Sequence, residues 1–214
     1  MDFTLELYKY LFEMLQSQRY KIIRFDDSFS CTGYINRSKT TILRHDVDLL
    51  PHNALAMAQL EHDLGIRGTY YFRIVPESFD AGIIERIAAM GHEVGYHYED
   101  VSLVAKAVGS GGEKRRNGET EKRRVVDQQK IHITDTPTHP DYAKASSGRR
   151  YSGSLNNLPP YLIDRAMESF VKNLETMRKV ADIKTICMHG SPMSKYDNRL
   201  LWINYNYSDY ILPG

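Results

Sequence analysis

The strongest constraint in the sequence is an alternation between residues 40 and 98. Three runs of strand character, TTILRH at 40–45, TYYFRI at 69–74 and HEVGYHY at 92–98, are separated by two segments with helical spacing. The second run is aromatic and β-branched, a composition that suits a pleated surface. The segment 51–64 has Pro51 near its first turn and Gly65 just beyond its end, the order in which helices start and stop. Residues 78–90 set Ile83, Ile84, Ile87 and Ala88 on one face, and Gly91 closes that helix. Strand, helix, strand, helix, strand implies parallel strands joined by crossover helices, an α/β class. Two more elements follow the same logic. A wide apolar stripe from Leu162 to Met177 predicts a core-packed helix. IKTICMHG at 183–190 predicts a fourth buried strand. At the other end, Leu5, Tyr8, Leu11, Phe12 and Leu15 predict a helix over 4–18.

Between 105 and 159 the character changes. The stretch is rich in Gly, Ser, Pro and charge, and large apolar residues are scarce from 109 to 157. Such a segment buries too little surface to offset its ordering entropy. It is expected to be a mostly disordered insertion, with a short strand at KIHITDT, dividing a domain made of 1–104 and 160–214. EKRR occurs twice, at 113–116 and 121–124, which raises contact with an anionic polymer. Acidic residues are interleaved there and the whole chain carries only +1, so a nucleic-acid partner is not expected. The N-terminus is acidic and amphipathic, unlike a signal peptide. No apolar run reaches the roughly 20 residues of a membrane span. Cys31 and Cys187 are far apart and follow no metal spacing. A reduced, cytoplasmic protein away from membranes is the expectation.

Three strands end in residues capable of chemistry. The first ends in His45, Asp46 and Asp48, the third in His97, Tyr98, Glu99 and Asp100, the last in His189 before GSPMSKYDNR. Carboxyl ends of parallel strands converge on one face, where ligands bind. Imidazole and carboxylate suit zinc or a similar divalent ion. Such an ion lowers the pKa of bound water towards ~7. Asp46 or Asp48, His97 and His189 are candidates to divide the roles of ligand, base and acid. Simpler roles compete with these: Asp46 and Asp48 as caps of the helix near Pro51, and His97 as a structural histidine. His92 opens its strand and reads as structural. His45 alternates away from Asp46 and reads as a supporting residue. His52 and His62 belong to a helix surface, and His132 and His139 to the insertion.

ILRHDVD, GIRGTYYF, GHEVGYHYED and ICMHGSPMSKYDNR together resemble the polysaccharide deacetylase-like proteins of the NodB-homology group, related to carbohydrate esterase family 4, and within it a bacterial branch with an RHDVD motif. The resemblance covers 1–104 and 160–212. It implies a distorted (β/α) barrel of about seven strands; only four are read here, so either the insertion supplies the others or the barrel is incomplete at its C-terminal side. It also implies metal-dependent removal of an N- or O-acetyl group from a carbohydrate such as a surface-polysaccharide precursor. On the matching positions, Asp46 is the base, Asp48 a metal ligand, His97 a metal ligand and His189 the acid. The family's second metal histidine falls on Val101, which leaves Asp100, Glu99 or His52 as substitutes, with Asp100 preferred. Arg44 would orient Asp46 through a charge-assisted bond. Tyr98, Ser191 and Asn198 would face the substrate. Zinc is the implied metal, with cobalt, manganese or nickel as alternatives, since carboxylate-rich ligation favours harder ions. The competing expectation, motivated by Val101 and the short C-terminus, is a carbohydrate-binding or scaffold relative without catalysis.

Overall fold

A computed structural model describes residues 4–30, 39–113, 158–190 and 196–211, with the backbone alone at 30 and 109–113. The chain runs α1 (Leu5–Ser17), β1 (Lys21–Ile23), α2 (Phe25–Ser30), β2 (Thr40–Ile42), β3 (Arg44–Val47), α3 (Pro51–Asp63), β4 (Thr69–Phe72), α4 (Ala81–Ala89), β5 (Glu93–Tyr98), α5 (Asp100–Glu113), α6 (Pro160–Arg178) and β6 (Ile186–Met188). Two 3-10 turns follow, Asn198–Trp202 and Tyr207–Asp209.

β3, β4, β5 and β6 form a parallel sheet in that order, and β1 pairs with β2 in a parallel two-stranded ladder. Leu43 joins the two ladders: its N–H donates to Ile23 and its carbonyl accepts from Thr69. The fold is therefore α/β with parallel strands, as the alternation predicts. Among the described residues the sheet does not close on itself into a barrel.

The helices form for local reasons that the sequence shows. Thr4 caps α1 by accepting from Leu7 N–H at 3.3 Å. Asp80 caps α4 by accepting from Ile83 N–H at 3.0 Å. Gly91 ends that helix at φ 87°, a conformation that costs glycine no Cβ clash. α4 buries Ile83, Ile84 and Ile87. α6 buries Leu162, Ile163, Ala166, Met167, Phe170, Leu174 and Met177. Each large side chain buried this way is worth about 1.5–3 kcal/mol.

Side chains on a strand alternate between faces, and here the two faces differ in kind. Val47, Tyr70, Phe72, Val94, Tyr96 and Tyr98 are buried in the main core with residues of α3, α4, α5 and α6. The other face carries Arg44 and Asp46 on β3, Tyr71 on β4, Gly95 and His97 on β5, and Cys187 on β6. At its amino end Glu93 accepts from Thr69 Oγ1 at 2.6 Å and also from Thr185 Oγ1. α2 crosses that end, where Phe25 N–H donates to Thr69 and Asp26 N–H to Glu93. Tyr8 and Phe12 of α1 cluster with Ile66, just beyond α3, and with Met57 and Leu60 of α3. Leu5 and Leu11, expected in the apolar stripe of α1, are exposed.

α5 runs to Glu113, past the expected boundary at 104. Val101 and Ala105 are buried in this stretch, and packing overrides the glycine-rich composition that follows. The remainder of the expected insertion, 114–157, lies outside the described residues, as does KIHITDT.

Two predictions follow from this packing. A Cβ on Gly95 would come within 2.2 Å of the Tyr71 ring and 3.0 Å of the Thr185 carbonyl. Gly95→Ala should destabilise the fold by about 1–3 kcal/mol, read from urea unfolding. His92 is buried, its Nδ1 accepts from Gly68 N–H at 3.0 Å and its Nε2 donates to the Ala58 carbonyl at 3.0 Å. It is thus the neutral Nε2–H tautomer, and burial holds its pKa below the ordinary histidine value. The unfolded chain then binds the extra proton first. This contribution to stability is complete above about pH 6.5 and is lost as pH falls from there towards the folded pKa. NMR should show His92 titrating at a lower pH than an ordinary histidine.

Candidate metal centre

Arg44, Asp46 and, two residues on, Asp48 share one side of the extended chain, because strand side chains repeat every second residue. Cys187 and His189 stand in the same relation on and just after β6. His97 lies between them on β5, in register with Cys187. The ends of three strands thus bring Asp46, Asp48, His97, Cys187 and His189 together.

Three atoms converge most closely. Asp48 Oδ1 lies 3.1 Å from His189 Nδ1 and 3.5 Å from His97 Nε2, and the two nitrogens are 3.2 Å apart. Tetrahedral donors on bonds of about 2.1 Å stand about 3.4 Å from one another. The trio has that spacing. Asp48 Oδ1 is buried and accepts no hydrogen bond, although its side chain is 47% exposed. It lies within reach of both imidazole nitrogens, as a shared cation would require. The described residues therefore include groups that could hold a metal ion, Asp48–His97–His189 and a second set, Asp46–His97–Cys187.

Each member of the trio is held from behind. His97 Nδ1 donates to the Cys187 carbonyl at 3.2 Å, so in the neutral ring Nε2 is the unprotonated nitrogen facing the trio. Burial keeps the His97 pKa below its ordinary value, against the pull of Asp46 and Asp48, so the ring is neutral and ready to ligate. The His189 backbone is tied by its N–H to the Tyr98 carbonyl at 2.8 Å and by its carbonyl to Asn198 Nδ2 at 2.9 Å.

Asp46 is gripped by Arg44 in a bidentate pair, Nε–Oδ1 2.8 Å and Nη2–Oδ2 2.7 Å. The same guanidinium lies 2.7 Å from Cys187 Sγ and 5.1 Å from the Tyr71 ring centre. Burial raises the Cys187 pKa, opposed by Arg44.

Several expected site residues lie elsewhere. Asp100 opens α5 and is fully buried on the core side. It accepts from Tyr96 Oη and Ser169 Oγ, both at 2.7 Å, and from Asn173 Nδ2 at 2.8 Å. Its burial raises its pKa against those three donors. It ties α5 to α6 and is not brought to the trio. Val101 is buried in the core, and Glu99 is paired with Arg73. The second imidazole comes instead from β6, as His189, which sequence reasoning cast as an acid. Tyr98 alternates to the face opposite His97, where its hydroxyl accepts from Trp202 Nε1 at 2.7 Å. Asn198 is buried, its amide bridging the His189 carbonyl and Ser102 N–H. Neither side chain joins the trio. Ser191 lies outside the described residues.

His45, expected as a supporting residue, belongs to a second network on the opposite face. Its Nε2 lies 2.7 Å from Glu61 Oε1, which also accepts from Tyr8 and Tyr70 hydroxyls, each at 2.7 Å. That fully buried carboxylate on α3 was not singled out from the sequence. Its position one turn after Ala58 marks the buried stripe of α3.

Comparison with known proteins returns no match: no family model fits the chain, and no curated protein or solved structure is similar to it. Among the described residues no helix is long and apolar enough to cross a membrane.

The trio predicts one divalent ion per chain. Equilibrium dialysis with cobalt should find it in the wild type and in Asp100→Asn. Binding should be lost in His97→Ala and in His189→Ala.

Proposed function

We propose that the chain is a metal-dependent hydrolase that removes an N- or O-acetyl group from a carbohydrate, on an incomplete (β/α) barrel of the NodB-homology type. The observation that carries this reading is the Asp48–His97–His189 trio with the Arg44-bound Asp46 carboxylate beside it, all at the carboxyl ends of parallel strands. The motif resemblance supplies the substrate class.

Asp48, His97 and His189 would hold the ion, most simply zinc. When bound, it supplies Lewis acidity and a water of lowered pKa. The remaining chemistry belongs to the chain. Arg44 orients the Asp46 carboxylate through its bidentate pair. Its own pKa is raised chiefly by its hydrogen bond to Asp46. Asp46 accepts the proton of the attacking water as the oxygen bonds to the acetyl carbon. It then returns that proton to the departing nitrogen or oxygen as the acyl bond breaks, giving acetate and the free amine or hydroxyl. His189, with Nδ1 committed to the trio, is replaced in the acid role by this returning proton.

Acetate release from N- and O-acetylated saccharides, measured with cobalt or zinc supplied, tests the reading. Asp46→Asn should retain the metal and lose about 10²–10⁴-fold in kcat. Saccharide binding without turnover, unchanged in Asp46→Asn, would favour the non-catalytic alternative.

A further inference from the structure

Asp48 sits beyond its strand, in the turn between β3 and α3. Its side chain is nearly half exposed. Leu49 and Leu50 after it are exposed too, and Leu50 has a left-handed backbone at φ 55°. A non-glycine residue in that region carries a steric cost and persists only where its surroundings impose it. This turn therefore needs an external hold if Asp48 Oδ1 is to stay within 3.5 Å of both imidazoles.

The hold comes from the neighbouring strand ends. Arg73, directly after β4, donates from Nη1 to the Asp48 carbonyl at 3.2 Å. The same guanidinium donates from Nε to Glu99 Oε1 at 2.7 Å, and Nη2 joins that oxygen. Glu99 directly follows β5 and is buried; Arg73 is largely so, with side-chain exposures of 6% and 17%. Ser78 completes the frame: it accepts from Arg73 N–H at 3.1 Å and donates to the Val47 carbonyl. One desolvated ion pair thus links the ends of β3, β4 and β5.

Resting on the metal reading above, we propose that Arg73 and Glu99 are positioning residues that set the affinity of the site by fixing the Asp48 turn. Neither touches substrate or ion. Glu99 aims the guanidinium, and the guanidinium fixes the backbone from which the carboxylate projects. Outer-shell partners of this kind change metal affinity by about 10–100-fold when removed. Lysine cannot reproduce the arrangement, because a single ammonium lacks the fork that reaches Glu99 and the Asp48 carbonyl together.

The test is cobalt affinity, read by visible absorption on the full chain, beside thermal unfolding. Arg73→Met/Glu99→Met replaces both charges by apolar side chains, an exchange that folds often tolerate, whereas a single substitution would strand a buried charge. The double variant should unfold at a temperature close to wild type and bind cobalt about 10–100-fold more weakly. Arg73→Lys, which preserves the charge, should fold and show a smaller loss, and it decides the matter if the double variant does not fold. Unchanged affinity in a folded variant would overturn the positioning role while leaving the metal centre intact. Failure of the wild type to bind cobalt would overturn the metal centre and the positioning role together.

Discussion

The site depends on the parallel register of β3 to β6. Strand side chains change faces at every residue, so a slip of one position would exchange the polar and apolar faces of a strand. Here the register is fixed by unlike demands on the two sides. On one face Tyr70, Phe72, Val94, Tyr96 and Tyr98 are buried against helices. On the other, Glu93 joins Thr69 and Thr185 at the amino end, and Tyr71 donates to Thr185 across the neighbouring strand. With those contacts made, Asp46, His97 and Cys187 have no freedom to point anywhere but to one side. The apolar core and the chemistry are two outcomes of one alternation.

The same physics explains why the two aspartates act as a pair although Val47 separates them. Residues two apart on an extended chain share a face. Val47 itself is buried in the core and anchors the segment. Its carbonyl is held by Ser78 and the next one by Arg73. The ligand turn is thus supported at consecutive carbonyls, which offsets the strain of Leu50 and leaves the Asp48 carboxylate projecting towards the imidazoles.

What was legible in the sequence follows from how local its cause is. β4 and β5 were plain because their aromatic and β-branched runs are continuous, and α4 and α6 because their apolar stripes are long. β1 and α2 were not read: KII and FDDSFS are too short to show a period. α5 is absent from the sequence reading because glycine at 109, 111 and 112 argues against helix, whereas its first two turns are kept by tertiary burial of Val101 and Ala105. At the site, the Arg44–Asp46 pair was legible because both partners lie on one strand. Asp100 was misplaced because nearness to His97 in sequence was read as nearness in space. The chain turns into α5 at that point, and the first residue of the helix faces the core. His189 as a ligand, and Arg73 and Glu99 behind Asp48, depend on strand order, which no local pattern encodes.

Charge balance gives the arrangement its direction. Asp46 and Asp48 bring two negative charges to the strand ends, and Arg44 neutralises one through its bidentate grip. Arg73 and Glu99 cancel each other below. His97 is held neutral by burial. The carboxylate left without a matched cation is Asp48, and the oxygen it turns towards the imidazoles is the one that accepts no hydrogen bond. A buried anionic oxygen in that position is costly unless it is paired. A divalent ion between Asp48, His97 and His189 removes that cost and leaves Asp46, already paired with Arg44, outside the ligand set. Keeping the base separate from the ligands is what allows the same strand to supply both.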